Sequence, residues 1–180
     1  MMNTFPSLYC FLALIFPTVW GEAATWFECH NGATLSPVVI KGKRFFREET
    51  GEYFPIKGIA YYPRPNTGNL SISNSIDFFT NEFRYIWEAD IENFKALGVN
   101  TIRIYGVNPS QYHDSFMCAL QEAGIYVVVG LLADCIGCAI GPGGADEGDG
   151  CYPPELKNRG QYIINTFSKY NNTLAFTAGT

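Results

Sequence analysis

The chain has 180 residues, 47% of them hydrophobic and 16% aromatic, which is enough to bury one sizeable core. Its formal net charge is −5, and Lys and Arg never stand more than two together. No basic face is available for nucleic acid, so that class of partner is excluded.

The apolar run from Leu8 to Trp20, broken by Pro17, is too short for a membrane span and has the length of a signal core. Small residues at Gly21, Ala23 and Ala24 favour cleavage nearby, although no Lys or Arg precedes the run. Residues 1–24 are therefore expected to be a signal peptide, with 25–180 as the mature part. Secretion makes Cys29, Cys118, Cys135, Cys138 and Cys151 disulfide candidates, with one left over. Asn69-Leu70-Ser71 and Asn171-Asn172-Thr173 are glycosylation sequons. The last residues, Ala178-Gly179-Thr180, do not read as a lipid-anchor signal.

Val38 to Ile40 and Arg44 to Arg47 read as two short strands. Thr50-Gly51-Glu52 turns into a longer strand, Tyr53 to Tyr62, with Ile56, Ile59 and Ala60 expected inside. Prolines, glycines and serines mark residues 63 to 76 as a loop. Ile76 to Leu97 reads as mostly helical, with Ile86, Ala89, Asp90, Phe94 and Leu97 at near-helical spacing and Gly98 as the stop. A strand follows over 99–105. Pro109 opens a helix carrying Met117, Leu120 and Ala123, which Gly124 ends. Ile125 to Leu132 is almost continuously apolar, as a strand covered on both faces is. Residues 133 to 153 form a long Gly- and Cys-rich loop. A third helix spans Glu155 to Tyr170 with Leu156, Tyr162, Ile163 and Phe167 inward, and Thr173 to Phe176 begins another strand.

A hairpin followed by alternating strands and helices predicts a parallel sheet. No glycine fingerprint follows the first strand, which disfavours a dinucleotide fold. The alternative is a (β/α)8 barrel, which needs about 250 residues, so this chain supplies roughly the first half, about four strands. Such a half leaves open sheet edges at its first and fourth strands, which predicts poor solubility or dimerisation of residues 25–180 alone. Arg103 and Tyr105 fall at the C-terminal end of the second strand, where barrels keep their chemistry.

Several stretches, in order, resemble fungal β-1,3-glucanosyltransferases of glycoside hydrolase family 72. They are 37–46 with the opening hairpin, 54–61 with the first barrel strand, and Asp90-Ile91 with Leu97 to Tyr105 as the next helix end and strand. His113-Asp114, Met117 and 123–127 follow, then 170–176 with Ala178-Gly179. The resemblance covers residues 37 to 180, with 133–153 as the gap. It implies a retaining enzyme of the cell surface that cleaves β-1,3-glucan and passes the new end to another glucan. Such chemistry uses two carboxyls about 5 Å apart. The family's acid Glu follows an Ala-Gly-Asn. Here Thr180 stands for the Asn, so the acid is expected next and the chain is expected to be truncated before it, with no catalytic carboxyl inside. Tyr62 stands where the family usually has Gln, and Gly130 where it has an active-site Asp. Phe116 occupies a family Cys position, and the partner expected within 85–88 is also missing, so that disulfide is expected to be lost. Cys118 offers a shifted pairing.

The substrate-binding candidates are Tyr105, whose ring and hydroxyl suit a sugar, and Arg103, whose fork suits a nucleophile carboxylate. Tyr61, Tyr62 and Asp134 are expected to line the cleft. Glu82, Glu88 and Glu92 read as a solvated helix face. No metal or other cofactor is assigned. The Cys135-x₂-Cys138 spacing with Cys151 suits zinc, but secretion favours disulfides, and Asp146, Glu147 and Asp149 are irregularly spaced for calcium. His113-Asp114 lacks a nucleophile beside it. The expected partner is a β-1,3-glucan oligosaccharide, with membrane attachment only through a GPI anchor in a longer form, and the expected location is secreted or cell-surface. Two readings compete: a non-catalytic glucan-binding relic, and a barrel glycosidase acting on another β-glycan.

Overall fold

The computed structural model describes Cys29, Gly32, residues 34–63, 76–133, Cys138 and 154–178. Residues 1–24, expected to be a signal peptide, and Asn69, Asp134, Cys135, Cys151 and Thr180 lie outside these residues. The described part begins with an antiparallel hairpin of β1 (Val38–Lys41) and β2 (Arg44–Arg47). Its two-residue loop starts with Gly42 at φ 63°, the conformation a Gly-X hairpin loop requires.

Four strands then form a parallel sheet in sequence order: β3 (Gly58–Ala60), β4 (Thr101–Ile104), β5 (Tyr126–Gly130) and β6 (Thr173–Thr177). Helices α1 (Arg84–Ala96), α2 (Asp114–Glu122) and α3 (Pro154–Phe167) connect them, with a 3₁₀ turn at Asn81–Phe83. This is the strand-helix alternation of half a (β/α)8 barrel behind a hairpin, as the sequence predicts. Gly98 (φ 68°) and Gly124 (φ 76°) end α1 and α2 in the left-handed conformation that a glycine after a helix supplies.

The core lies between the sheet and the helices. Ile102, Ile104, Val127 and Val129 meet Trp87, Phe116, Met117, Leu120, Ile163 and Phe167, all fully buried. Trp87 and Phe116 touch edge to face, with centroids 5.5 Å apart. Cys29 and Cys118 form a disulfide that ties the start of the described chain to α2. Cys138 is also disulfide-bonded.

Several expectations are corrected. The strand expected over 53–62 is split at Pro55. Tyr53 bridges to Phe46 in the hairpin, and only Gly58–Ala60 joins the parallel sheet. Ile56, Ile59 and Ala60 are exposed rather than buried, because β3 pairs with β4 alone and little covers it. The first helix starts at Arg84, after a turn and the 3₁₀ segment, and buries Trp87, Ile91 and Phe94. Leu97 is exposed just past its end, and Tyr162 points outward from α3. The second helix begins at Asp114, since residues 106–113 form a loop.

Asn100 extends the β3–β4 junction beyond its ladder. Its side-chain amide donates to the Pro55 carbonyl (2.8 Å), and its Oδ1 accepts the Lys57 N–H (2.9 Å). The Tyr126 hydroxyl donates to the Ser36 carbonyl, which joins the chain before the hairpin to β5.

Candidate functional site

Alternation along β4 decides which side chains reach the site. Ile102 and Ile104 turn to the helices, so Arg103 and Tyr105 turn to the opposite face, and Gly106 (φ 73°) leads the chain out of the strand. Tyr105 stacks on Tyr62, with centroids 5.1 Å apart and planes 20° from parallel. The Arg103 guanidinium lies 5.6 Å from the Tyr105 ring centre, a cation–π distance. The Tyr62 hydroxyl donates to the Ile76 carbonyl (2.9 Å), and Phe78 and Phe79 meet its ring edge-on.

Tyr105 is therefore half-buried rather than open, because Tyr62 covers one of its faces. Arg103 forms no ion pair among the described residues, and its Nε is buried without a hydrogen-bond partner. On β6, Thr177 pairs in register with Gly130 and also has a buried, unbonded hydroxyl. Buried polar groups are normally satisfied, so two on one face mark it for polar ligands. Gly130 itself permits close strand packing. A Cβ there would lie 3.2 Å from the Ile104 carbonyl oxygen and 3.2 Å from the Tyr105 Cβ.

Tyr61 does not share this face. It is buried among the helices, T-shaped against Phe94 (4.9 Å), and its hydroxyl donates to Asp90 on α1 (2.8 Å). Burial, together with that bond to a carboxylate, pushes its phenol well above the usual range. One position along the strand separates the two tyrosines' roles. Asn171, at the α3–β6 junction, is half-buried and lines a cavity of ≈ 350 Å³ with Thr34, Glu49 and Tyr126.

Sequence reasoning missed the group behind the stack. Asp77 Oδ2 accepts the Asn108 N–H (2.6 Å) and lies 2.8 Å from His113 Nε2, while Oδ1 accepts the Phe79 N–H (3.0 Å). The last bond is an Asx turn, which an Asp two residues before Phe79 signals. Arg159 on α3 donates to the Val107 carbonyl (2.8 Å). Burial lowers the proton affinity of its guanidinium, which the Asp77 charge partly restores. His113 is buried with Asp77 and packs on Phe167, a structural place rather than a catalytic one. Asp114 opens α2, where the helix dipole favours it. Burial works against its ionisation. Hydrogen bonds from Tyr170 (2.6 Å) and Lys169 (2.9 Å), with nearby positive charge, outweigh that and hold the carboxyl below its usual range.

Among the described residues, no cluster of three or more His, Cys, Asp or Glu side chains is arranged to hold a metal. No described helix is long and apolar enough to cross a membrane.

The glycoside hydrolase family 72 profile, described as Glucanosyltransferase, matches residues 28–180. The 1,3-beta-glucanosyltransferase PGA5 of Candida albicans is 34% identical over 152 residues, covering 81% of this chain and 22% of its own length. The 1,3-beta-glucanosyltransferase gas4 of Schizosaccharomyces pombe is 41% identical over 99 residues, 55% of this chain and 20% of that protein. Gas2p of Saccharomyces cerevisiae, solved with laminaritriose and laminaritetraose, superposes with a TM-score of 0.62 at 31% identity, covering 78% of this chain and 29% of that one. The chain thus spans less than a third of the length of these relatives. The fold, the order of matching segments and these likenesses agree, and the chain belongs to the glucanosyltransferases of glycoside hydrolase family 72.

Proposed function

We propose that the strand-end face of this chain is the β-1,3-glucan-binding half of a retaining glucanosyltransferase that remodels cell-wall glucan. The observation that carries the reading is the Tyr62–Tyr105 stack beside an Arg103 without an ionic partner. Aromatic rings pack on the apolar faces of sugars, and the Tyr105 hydroxyl, which has no protein partner among the described residues, supplies a polar contact. Arg103 suits the carboxylate nucleophile, which is expected, with the acid, beyond Thr180 in a longer form. Asp134 is expected to add contacts with sugar hydroxyls. Tyr61 supports the site from behind through Asp90. Residues 1–24 act as a signal peptide, Asn69 and Asn171 accept glycans, and the longer form works at the cell surface, held there by a GPI anchor.

Gly130 favours a second reading, a glucan-binding relic without transfer, because the family's active-site Asp is replaced by a residue that closes the strands together. Isothermal titration with laminaritetraose tests binding by the chain. Saturable binding that Tyr105→Ala abolishes is the expected result, and no heat with well-folded protein rejects the proposal. Product analysis of a longer form with laminari-oligosaccharides then separates transfer from binding alone.

A further inference from the structure

Two loops meet behind the Tyr62–Tyr105 stack, and each supports one ring. Residues 76–80 support Tyr62 through the Ile76 carbonyl and the edges of Phe78 and Phe79. Residues 106–113 continue directly from Tyr105, the first residue past β4, so their path constrains the backbone that carries its ring. Asp77 belongs to the first loop and binds the second at Asn108 and at its last residue, His113. Its side chain is only 6% exposed and that of His113 is fully buried. With the hydrogen on His113 Nε2, the imidazole donates to Asp77 and leaves only an acceptor, Nδ1, without a partner. Hydrogen bonds to a carboxylate are short and roughly twice as strong as neutral ones. Removing the carboxylate would leave the Asn108 N–H and the imidazole N–H facing each other with no acceptor. Arg159 reinforces the second loop from α3 at the Val107 carbonyl.

We propose that Asp77 is a positioning residue that locks the Tyr62–Tyr105 stack by bridging the loops that support its two rings. Its consequence for sugar binding rests on the function proposed above. Asp114 is the matched control. It is also a partly buried carboxylate near the start of α2, but it holds Tyr170 and Lys169 rather than residues 76–80.

The test compares Asp77→Ala, Asp77→Asn and Asp114→Ala in the 180-residue chain. NMR reads the Tyr62–Tyr105 ring contact and the Asn108 amide exchange, and calorimetry reads laminaritetraose affinity. Asp77→Ala is expected to lose the ring contact, expose the Asn108 amide to exchange and weaken binding about tenfold or more, as small misplacements of binding groups do. Asp114→Ala is expected to lower the melting temperature yet keep the ring contact and the affinity. Asp77→Asn, which retains one acceptor oxygen, falls between, and it decides the matter if Asp77→Ala does not fold. A folded Asp77 variant with an intact ring contact and a protected Asn108 amide overturns the proposal. If the parent chain does not bind laminaritetraose, the sugar-binding reading fails, while the ring contact and amide exchange still decide the role of Asp77.

Discussion

The helix-facing side of the parallel sheet and its opposite side are built from the same strands but on different terms. Toward the helices, Ile102, Ile104, Val127 and Val129 are fully buried in a continuous apolar cluster. Toward the other side, Arg103, Tyr105, Val128 and Thr177 are half-buried, and two of their polar groups lack partners. The period-two alternation of a strand separates stability from binding at the resolution of single residues. A substitution on one face should cost folding, and a substitution on the other should cost recognition.

The helix side should give the largest loss. Phe116→Ala removes a fully buried ring that touches Phe79 and Trp87, and urea denaturation should show a destabilisation of about 3–5 kcal/mol. Next, Cys29→Ser with Cys118→Ser opens a link spanning a sequence separation of 89, with an expected loss of about 2–4 kcal/mol. A smaller effect is expected from Asp114. Its folded-state proton affinity is lowered, so its stabilisation is present above the unfolded carboxylate value of about 3.9 and is lost as pH falls through the lower folded value. Denaturation midpoints measured down through that range should fall more steeply in the parent than in Asp114→Asn. The smallest effect on stability is expected from Arg103→Met, within about 0.5 kcal/mol or slightly stabilising, because it removes a charge that has no ionic partner. On the same face, Tyr105→Ala should lose laminaritetraose binding. A large loss of stability there would erase the distinction between the two faces.

The strand order, the helix stops at Gly98 and Gly124, and the buried β5 were legible because each rests on local pattern or glycine conformation. Burial at strand ends was not. Ile59 and Leu97 are apolar, but their exposure depends on which distant segments cover them. The candidate site was half legible. Alternation put Arg103 and Tyr105 on one face, yet Tyr61 and Tyr62 looked equivalent until register assigned them to opposite faces. Asp77 was invisible because its partners, Asn108 and His113, lie 31 and 36 residues away. No local pattern reports contacts of that range.

The contact between Trp87 and Phe116 has a redox consequence. The resemblance places a cysteine at Phe116 and its partner within 85–88, the window that contains Trp87. An edge-to-face aromatic pair now spans the seam between α1 and α2, and Cys118 links to Cys29 instead. A reductant acting on that link would untie the N-terminal segment from α2 and leave the helix seam untouched. Reduction is therefore expected to free Cys29 from α2 while the Trp87–Phe116 contact beneath the site stays in place.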